Sequence, residues 1–218
     1  NQVLTGNLNF NNVSFVYSDT GIKALNSLTF ELKEGQTLGV IGKIGSGKST
    51  LAELLCRIND PSSGTITIGK DTIKEVNLTE LRSYIGYVPQ ESFLFSDSIY
   101  NNIAFGTKNA TQVEVIEAAK AAGIYDNIMK FKAQLNTVVG ERGITLSGGQ
   151  KQRISIARAL IRNPKFMLFD DCLSAVDTET EELILQNIKK QSVNKSTIII
   201  SHRASSLKHA DQIIVLDK

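Results

Sequence analysis

The feature that most constrains this chain is the run Gly42-Lys43-Ile44-Gly45-Ser46-Gly47-Lys48-Ser49. It fits G-x-x-x-x-G-K-[ST] at every fixed position. Glycines in such a loop let backbone N–H groups close around phosphate oxygens, and a helix starting at its end adds a favourable dipole. Lys48 is then placed to reach the β- and γ-phosphates of a nucleoside triphosphate, and the Ser49 hydroxyl to take one position on Mg²⁺. The chemistry demands an apolar strand before the loop and a helix after it. Residues 37–41 are a short apolar run stopping at Gly42, and a helix is expected from about Lys48. A chance glycine-rich turn would not explain those flanks.

The rest of the chain alternates around that unit. Residues 7–17 alternate as a strand (Leu8, Phe10, Val13, Phe15), and residues 25–32 read as its hairpin partner across the turn-prone Ser18-Asp19-Thr20-Gly21. Residues 65–68 and 84–88 are further short strands, the second closed by Pro89. From about Thr111 the apolar spacing becomes helical as far as Phe131, and a second helix runs from Lys151 to the stop at Asn163-Pro164. Then come a strand at Phe166–Asp170, a helix over 179–190, and strands at 197–201 and Gln212–Leu216. This order predicts an α/β fold: a buried, mostly parallel sheet, an antiparallel β-subdomain near the N-terminus and an inserted α-helical subdomain. The expected division of this single domain (1–218) is a core of 1–90 and 164–218 and a helical lobe of about 91–163.

Length and charge agree with one such domain. The 218 residues, 41% of them hydrophobic, suffice for one core. Twenty-four basic against 22 acidic residues leave a net charge of +2 and no basic block, which predicts no nucleic-acid partner. Cys56 and Cys172 have no metal-like spacing and fit a reduced, cytosolic setting. Apolar runs such as 166–169 and 198–200 are far too short to cross a bilayer, and the polar opening residues do not resemble a signal peptide. The expectation is a soluble chain excised from a longer protein.

Three further segments carry chemistry. Phe166–Asp170 is an apolar strand ending in a carboxylate, which beside a phosphate loop can orient Mg²⁺. Alone, Asp170 also fits a helix-capping role. Leu146-Ser147-Gly148-Gly149-Gln150 opens a helix with a hydroxyl and two glycines, a second anion-binding surface. One nucleotide does not need two cradles, so the second suits a nucleotide held by another copy. A merely capped helix is the alternative. With its downstream helix, LSGGQ resembles the signature of the ABC family of ATP-binding cassettes.

That resemblance extends over essentially the whole chain and implies the remaining roles. It implies ATP and Mg²⁺ on this chain's own P-loop, at Gly42, Gly45, Ser46, Gly47, Lys48, Ser49 and Thr50. Tyr17 resembles the aromatic that stacks on adenine, Gln90 the Q-loop glutamine that touches Mg²⁺, and His202 the histidine that contacts the γ-phosphate. Ser147, Gly148, Gly149 and Gln150 would meet the ATP of a partner subunit. Ser174-Ala175-Val176-Asp177 resembles the D-loop, and Gly140-Glu141-Arg142-Gly143 the exporter X-loop that contacts membrane domains. Without the family, Tyr17 could cap a strand, Gln90 could be a surface amide and His202 an ordinary strand-end histidine.

One position departs from the family pattern. The residue after the Walker B aspartate is normally glutamate; here it is Asp171. The shorter side chain withdraws the carboxylate by roughly 1.5 Å. A misplacement of about 1 Å can cost on the order of 100-fold in rate. With its intact LSGGQ, the chain therefore resembles one half of a heterodimeric, multidrug-type ABC exporter, with cassettes of the multidrug-resistance-associated type as a rival. The implied function is ATP binding and hydrolysis powering export through separate transmembrane domains at the cytoplasmic face of the cell (inner) membrane. The alternatives are a regulatory ATP-binding module with negligible turnover and a non-transport ABC ATPase.

Overall fold

The structure, a computed structural model, describes residues 4–140, 143–174, 176–191 and 195–217. These residues form two compact units.

The first unit takes the described residues of 1–87, 165–170 and 194–218. Its N-terminal part is an antiparallel sheet. Strands β1 (Leu8–Val16) and β2 (Lys23–Leu32) pair as the expected hairpin. β4 (Ser63–Ile68) pairs with the other edge of β1, and the two-residue β5 (Asp71–Thr72) with β4. The expected alternation holds only at the start of β1, where Leu8 and Phe10 are buried; it breaks at Asn11 and Asn12, both exposed, where the register to β2 shifts, and Val13, Ser14 and Phe15 are all buried.

The second sheet of this unit holds β3 (Thr37–Gly42), β6 (Ile85–Val88), β7 (Phe166–Asp170), β8 (Ser196–Ile200) and β9 (Gln212–Leu216), in the order β6-β7-β8-β3-β9. β3 runs parallel to β8 and β9, and β7 parallel to β8. All five residues of β7 and of β8 are buried, as strands covered on both faces must be. Helix α1 (Lys48–Leu55) follows β3, and Leu51, Leu54 and Leu55 are fully buried in the same apolar cluster as Leu38 and Val40. A short α2 (Leu78–Ser83) was not visible in the apolar spacing; Asn77 caps it by accepting from the N–H groups of Thr79 and Glu80.

The second unit takes the described residues of 88–164 and 171–193. It holds α3 (Ile99–Ala104), α4 (Gln112–Ala121), α5 (Tyr125–Met129), α6 (Gly148–Leu160) and α7 (Thr178–Gln191). The helical run expected from Thr111 to Phe131 is two helices, because Gly123 between them adopts φ +65°. A capping box of Thr111 and Glu114 starts α4. The unit reaches past the insertion between the two prolines because α7 packs on α4, with Asn187 Nδ2 donating to the Ala121 carbonyl at 3.2 Å.

A buried amide organises this unit. Asn102, 0% exposed, donates through Nδ2 to the carbonyls of Phe95, Asp97 and Ser98 and accepts from the Phe95 N–H. Arg158 on α6 donates to the Asn102 carbonyl at 2.8 Å, to its Oδ1 at 2.9 Å and to the Phe93 carbonyl at 2.9 Å. Its guanidinium lies 5.6 and 5.8 Å from the ring centres of Phe95 and Phe105.

Candidate nucleotide site

The glycine-rich loop is a tight turn between β3 and α1. Gly47 is the N-cap of α1 with φ +91°, and a side chain there would run into the Ala24 carbonyl. A side chain at Gly42 would meet the Leu216 carbonyl and Ser46 Oγ. No side chain caps α1 and no acidic residue occupies its first turn. The N–H groups at its start therefore keep the partial positive charge of a helix end for an incoming anion. Ser46 Oγ is buried in the loop without a hydrogen-bond partner.

Lys48 is 6% exposed, and its ammonium donates to the carbonyls of Gly42 and Lys43, both at 2.8 Å. Ser49 Oγ donates to Asp170 Oδ1 at 3.3 Å, and the Tyr87 hydroxyl to Asp170 Oδ2 at 3.4 Å. Burial first, then the Asp170 charge, push the Tyr87 phenol well above its ordinary range, so it stays a donor. A buried carboxylate beside a hydroxyl is a hard-oxygen donor pair of the kind Mg²⁺ takes. The residues present thus fit both a triphosphate and its metal.

Sheet register brings the other predicted groups to the same edge. Val40, Ile200 and Asp170 lie side by side on β3, β8 and β7. The parallel strands therefore end together, carrying the loop from Gly42, the exposed His202 just past β8, and Asp170. Ligands of open α/β sheets bind at such carboxyl ends. Tyr17 follows β1, held in a turn by its N–H bond to the Ile22 carbonyl at 3.0 Å and the Gly21 N–H bond to its own carbonyl at 2.8 Å. Its hydroxyl lies 2.9 Å from Thr50 Oγ1 and 3.2 Å from Glu53 Oε2.

The second unit holds the remaining candidates. Gln90 Nε2 donates to Asp171 Oδ2 at 3.5 Å, so the amide of the proposed Q-loop and the carboxylate that departs from the family pattern face each other. Asp171 adopts φ +46°, in the left-handed region uncommon outside glycine, and its carbonyl accepts from Ser174 Oγ at 2.9 Å. Ser147 caps α6: its hydroxyl accepts from the Gln150 N–H while Gln150 Oε1 accepts from the Ser147 N–H. Gly148 and Gly149 are the first two residues of that helix. Of the proposed D-loop, Ala175 lies outside the described residues, as do Glu141 and Arg142 of the proposed X-loop.

Sequence reasoning passed over Glu53 and Tyr87. Glu53 had a signal: Thr50 and Glu53 are polar, three apart and so on one face of a helix whose other residues are mostly apolar. Tyr87 had none, being an aromatic within an apolar run.

A buried parallel sheet with this loop at its carboxyl edge defines an α/β nucleoside-triphosphate-binding domain of the P-loop class. The profile of one family, described as ABC transporter, matches residues 25–174. The chain is 48% identical over 217 residues to YknU, an ABC transporter ATP-binding protein of Bacillus subtilis (strain 168), covering 100% of this chain and 37% of that protein. It is 44% identical over 216 residues to ATP-binding cassette sub-family B member 5 of Mus musculus, covering 99% of this chain and 17% of that protein. Among solved structures it superposes with a TM-score of 0.94 and 44% identity on a bacterial Atm1-family ABC exporter with ATP bound, over 99% of this chain and 38% of that one. The chain belongs to the ABC transporter family, and it spans well under half the length of these relatives. Among the described residues no helix is long and apolar enough to cross a membrane.

Proposed function

We propose that this chain binds and hydrolyses ATP to power export by an ABC transporter, as one half of a dimer that sandwiches two nucleotides. The observation that carries the reading is the uncapped, glycine-shaped start of α1, with buried Lys48 and the Ser49–Asp170 pair beside it. Lys48 and the N–H groups after Gly45 hold the β- and γ-phosphates, and Tyr17 stacks on adenine. Ser49 and Asp170, with Gln90, hold Mg²⁺, which when bound neutralises charge on the phosphate oxygens. His202 donates to the γ-phosphate. Water attacks phosphorus in line as the bond to the ADP oxygen breaks, and the proton passes toward Asp171. Ser147, Gly148, Gly149 and Gln150 complete the site on a second nucleotide-binding domain.

Asp171 makes this the weaker site of a heterodimer. The carboxylate is one carbon shorter than glutamate, and it is within reach of the Gln90 amide. The membrane-spanning domains of the exporter, at the cytoplasmic face of the membrane, dock on the second unit. A surface pocket of about 560 Å³ there is lined by Phe93, Phe95, Ile144 and Leu146 together with the polar Ser92, Thr145 and Lys151. Phe93 is 66% exposed, a large apolar group that a partner would cover.

Steady-state ATPase at high protein concentration, beside an Asp171→Glu variant, tests the weak-base reading, with MgATP binding measured on both. The expected result is equal affinity and a gain of about ten-fold or more in turnover for the variant. Equal turnover would make this an ordinary catalytic cassette. Binding without turnover in either protein would favour the regulatory module instead.

A further inference from the structure

Tyr17 has a constraint that a base-stacking ring does not need for stacking. The ring is half-buried at the end of β1, where the chain reverses between Tyr17 and Ile22. Packing alone holds it on one side, by an edge-on contact with Phe15 at 4.9 Å between ring centres and 85° between planes. The hydroxyl end is held differently. A phenol has one proton to give, and a carboxylate can only accept, so the Tyr17 hydroxyl donates to Glu53 Oε2 and accepts from Thr50 Oγ1. Asn59 Nδ2 donates to the same Glu53 oxygen at 3.2 Å. The result is one directional chain: Thr50 to Tyr17 to Glu53, with Asn59 closing it from the far side.

We propose that Glu53 is a positioning residue that locks the Tyr17 ring to helix α1, so that the base platform and the phosphate loop form one preorganised body. This rests on reading Tyr17 as the adenine platform. Thr50 is one residue beyond Ser49 and only 4% exposed, so the chain is anchored in the helix whose first turn faces the phosphates. Glu53 lies on the same face of α1. A ring already fixed at both ends loses little rotational freedom when a purine arrives, and that saving appears as affinity. Burial raises the Tyr17 phenol above its ordinary value, so its proton remains available to Glu53 at neutral pH.

The chain predicts a split between two ligands. MgATP needs both the platform and the loop; inorganic tripolyphosphate with Mg²⁺ needs the loop alone. Titration calorimetry on this chain would compare the two ligands for wild type, Tyr17→Ala, Tyr17→Phe, Glu53→Ala, Glu53→Gln and the Tyr17→Phe/Glu53→Ala double variant. Glu53→Ala and Tyr17→Phe should each weaken MgATP by about 3- to 10-fold, the ordering cost of one side chain on binding, and leave tripolyphosphate within about twofold of wild type. Glu53→Gln keeps an oxygen that accepts from the phenol and should bind like wild type. The double variant should be no weaker than either single one, because both break the same chain. Unchanged MgATP affinity in Glu53→Ala overturns the proposal, as do equal losses for both ligands or additive losses in the double variant. If Tyr17→Ala binds MgATP as well as wild type, Tyr17 is not the platform and this proposal falls with that role; if wild type binds no MgATP, the nucleotide reading itself falls.

Discussion

The chain has two glycine-rich helix starts, and they are finished in opposite ways. At α1 the N-cap is Gly47 and no side chain touches the N–H groups of the first turn. At α6 the N-cap is Ser147, and with Gln150 it closes a reciprocal box on the helix end. A helix end left without a side-chain cap leaves its first N–H groups to water, to local turns or to a ligand. The start of α1, the proposed binding site, thus forgoes the stability of a side-chain cap, whereas the start of α6 has one within the chain alone. Glycine means something different at each place. Gly47 is obligatory because of its positive φ and the Ala24 carbonyl. Gly148 and Gly149 are helical residues not among the positive-φ glycines, so backbone conformation does not call for glycine there, and what they keep is a low surface for close approach.

The most damaging way to break that contrast is Gly47→Ala. Strain at positive φ together with the collision should cost about 2–4 kcal/mol in denaturant unfolding, and MgATP binding should vanish with the loop geometry. A variant that still binds would show that the loop can be rebuilt around a side chain. Ser147→Ala comes next. Loss of the box should cost about 1 kcal/mol, while MgATP affinity at low protein concentration stays at the wild-type value. A drop in affinity there would mean that the signature also serves this chain's own nucleotide. The smallest effect is expected from Gly148→Ala, which should leave stability unchanged or raise it by about 0.5 kcal/mol. If its ATPase at high concentration also stays intact, close approach is not what the glycine is for.

How far these features could be read in advance depends on whether a residue's purpose is local. The two sheets, α1, α6 and β7 were legible because periodicity and length reflect burial directly: β7 is a run of five buried residues and reads as one. The loop at 42–49 was legible because each fixed residue has its own steric or chemical reason. The short helices α2 and α3 were not seen, since six residues are too few for a 3.6-residue period to show. Their caps at Asn77 and Ser98 were the signal. Asn102 was opaque for another reason. An asparagine among polar neighbours reads as surface, and only the fold reveals that its amide is the centre of a buried knot. The roles of Glu53 and Tyr87 depend on Tyr17 and Asp170, which lie 36 and 83 residues away. The left-handed Asp171 belongs in the same group, since its conformation is set by the turn at 171–174.

The Asn102 knot has a consequence in time. Its own bonds reach back only four to seven residues, to Phe95, Asp97 and Ser98. Loops that short close within about 10–100 ns once the residues exist. Arg158, which bolts the knot to α6, comes 56 residues after Asn102. At a synthesis rate of roughly 5–20 residues per second it reaches the scene seconds later. During translation, then, the turn carrying Phe93 and Phe95 can take its shape well before the arginine that secures it has been made. During that interval the turn has its shape but lacks the arginine that ties it to α6.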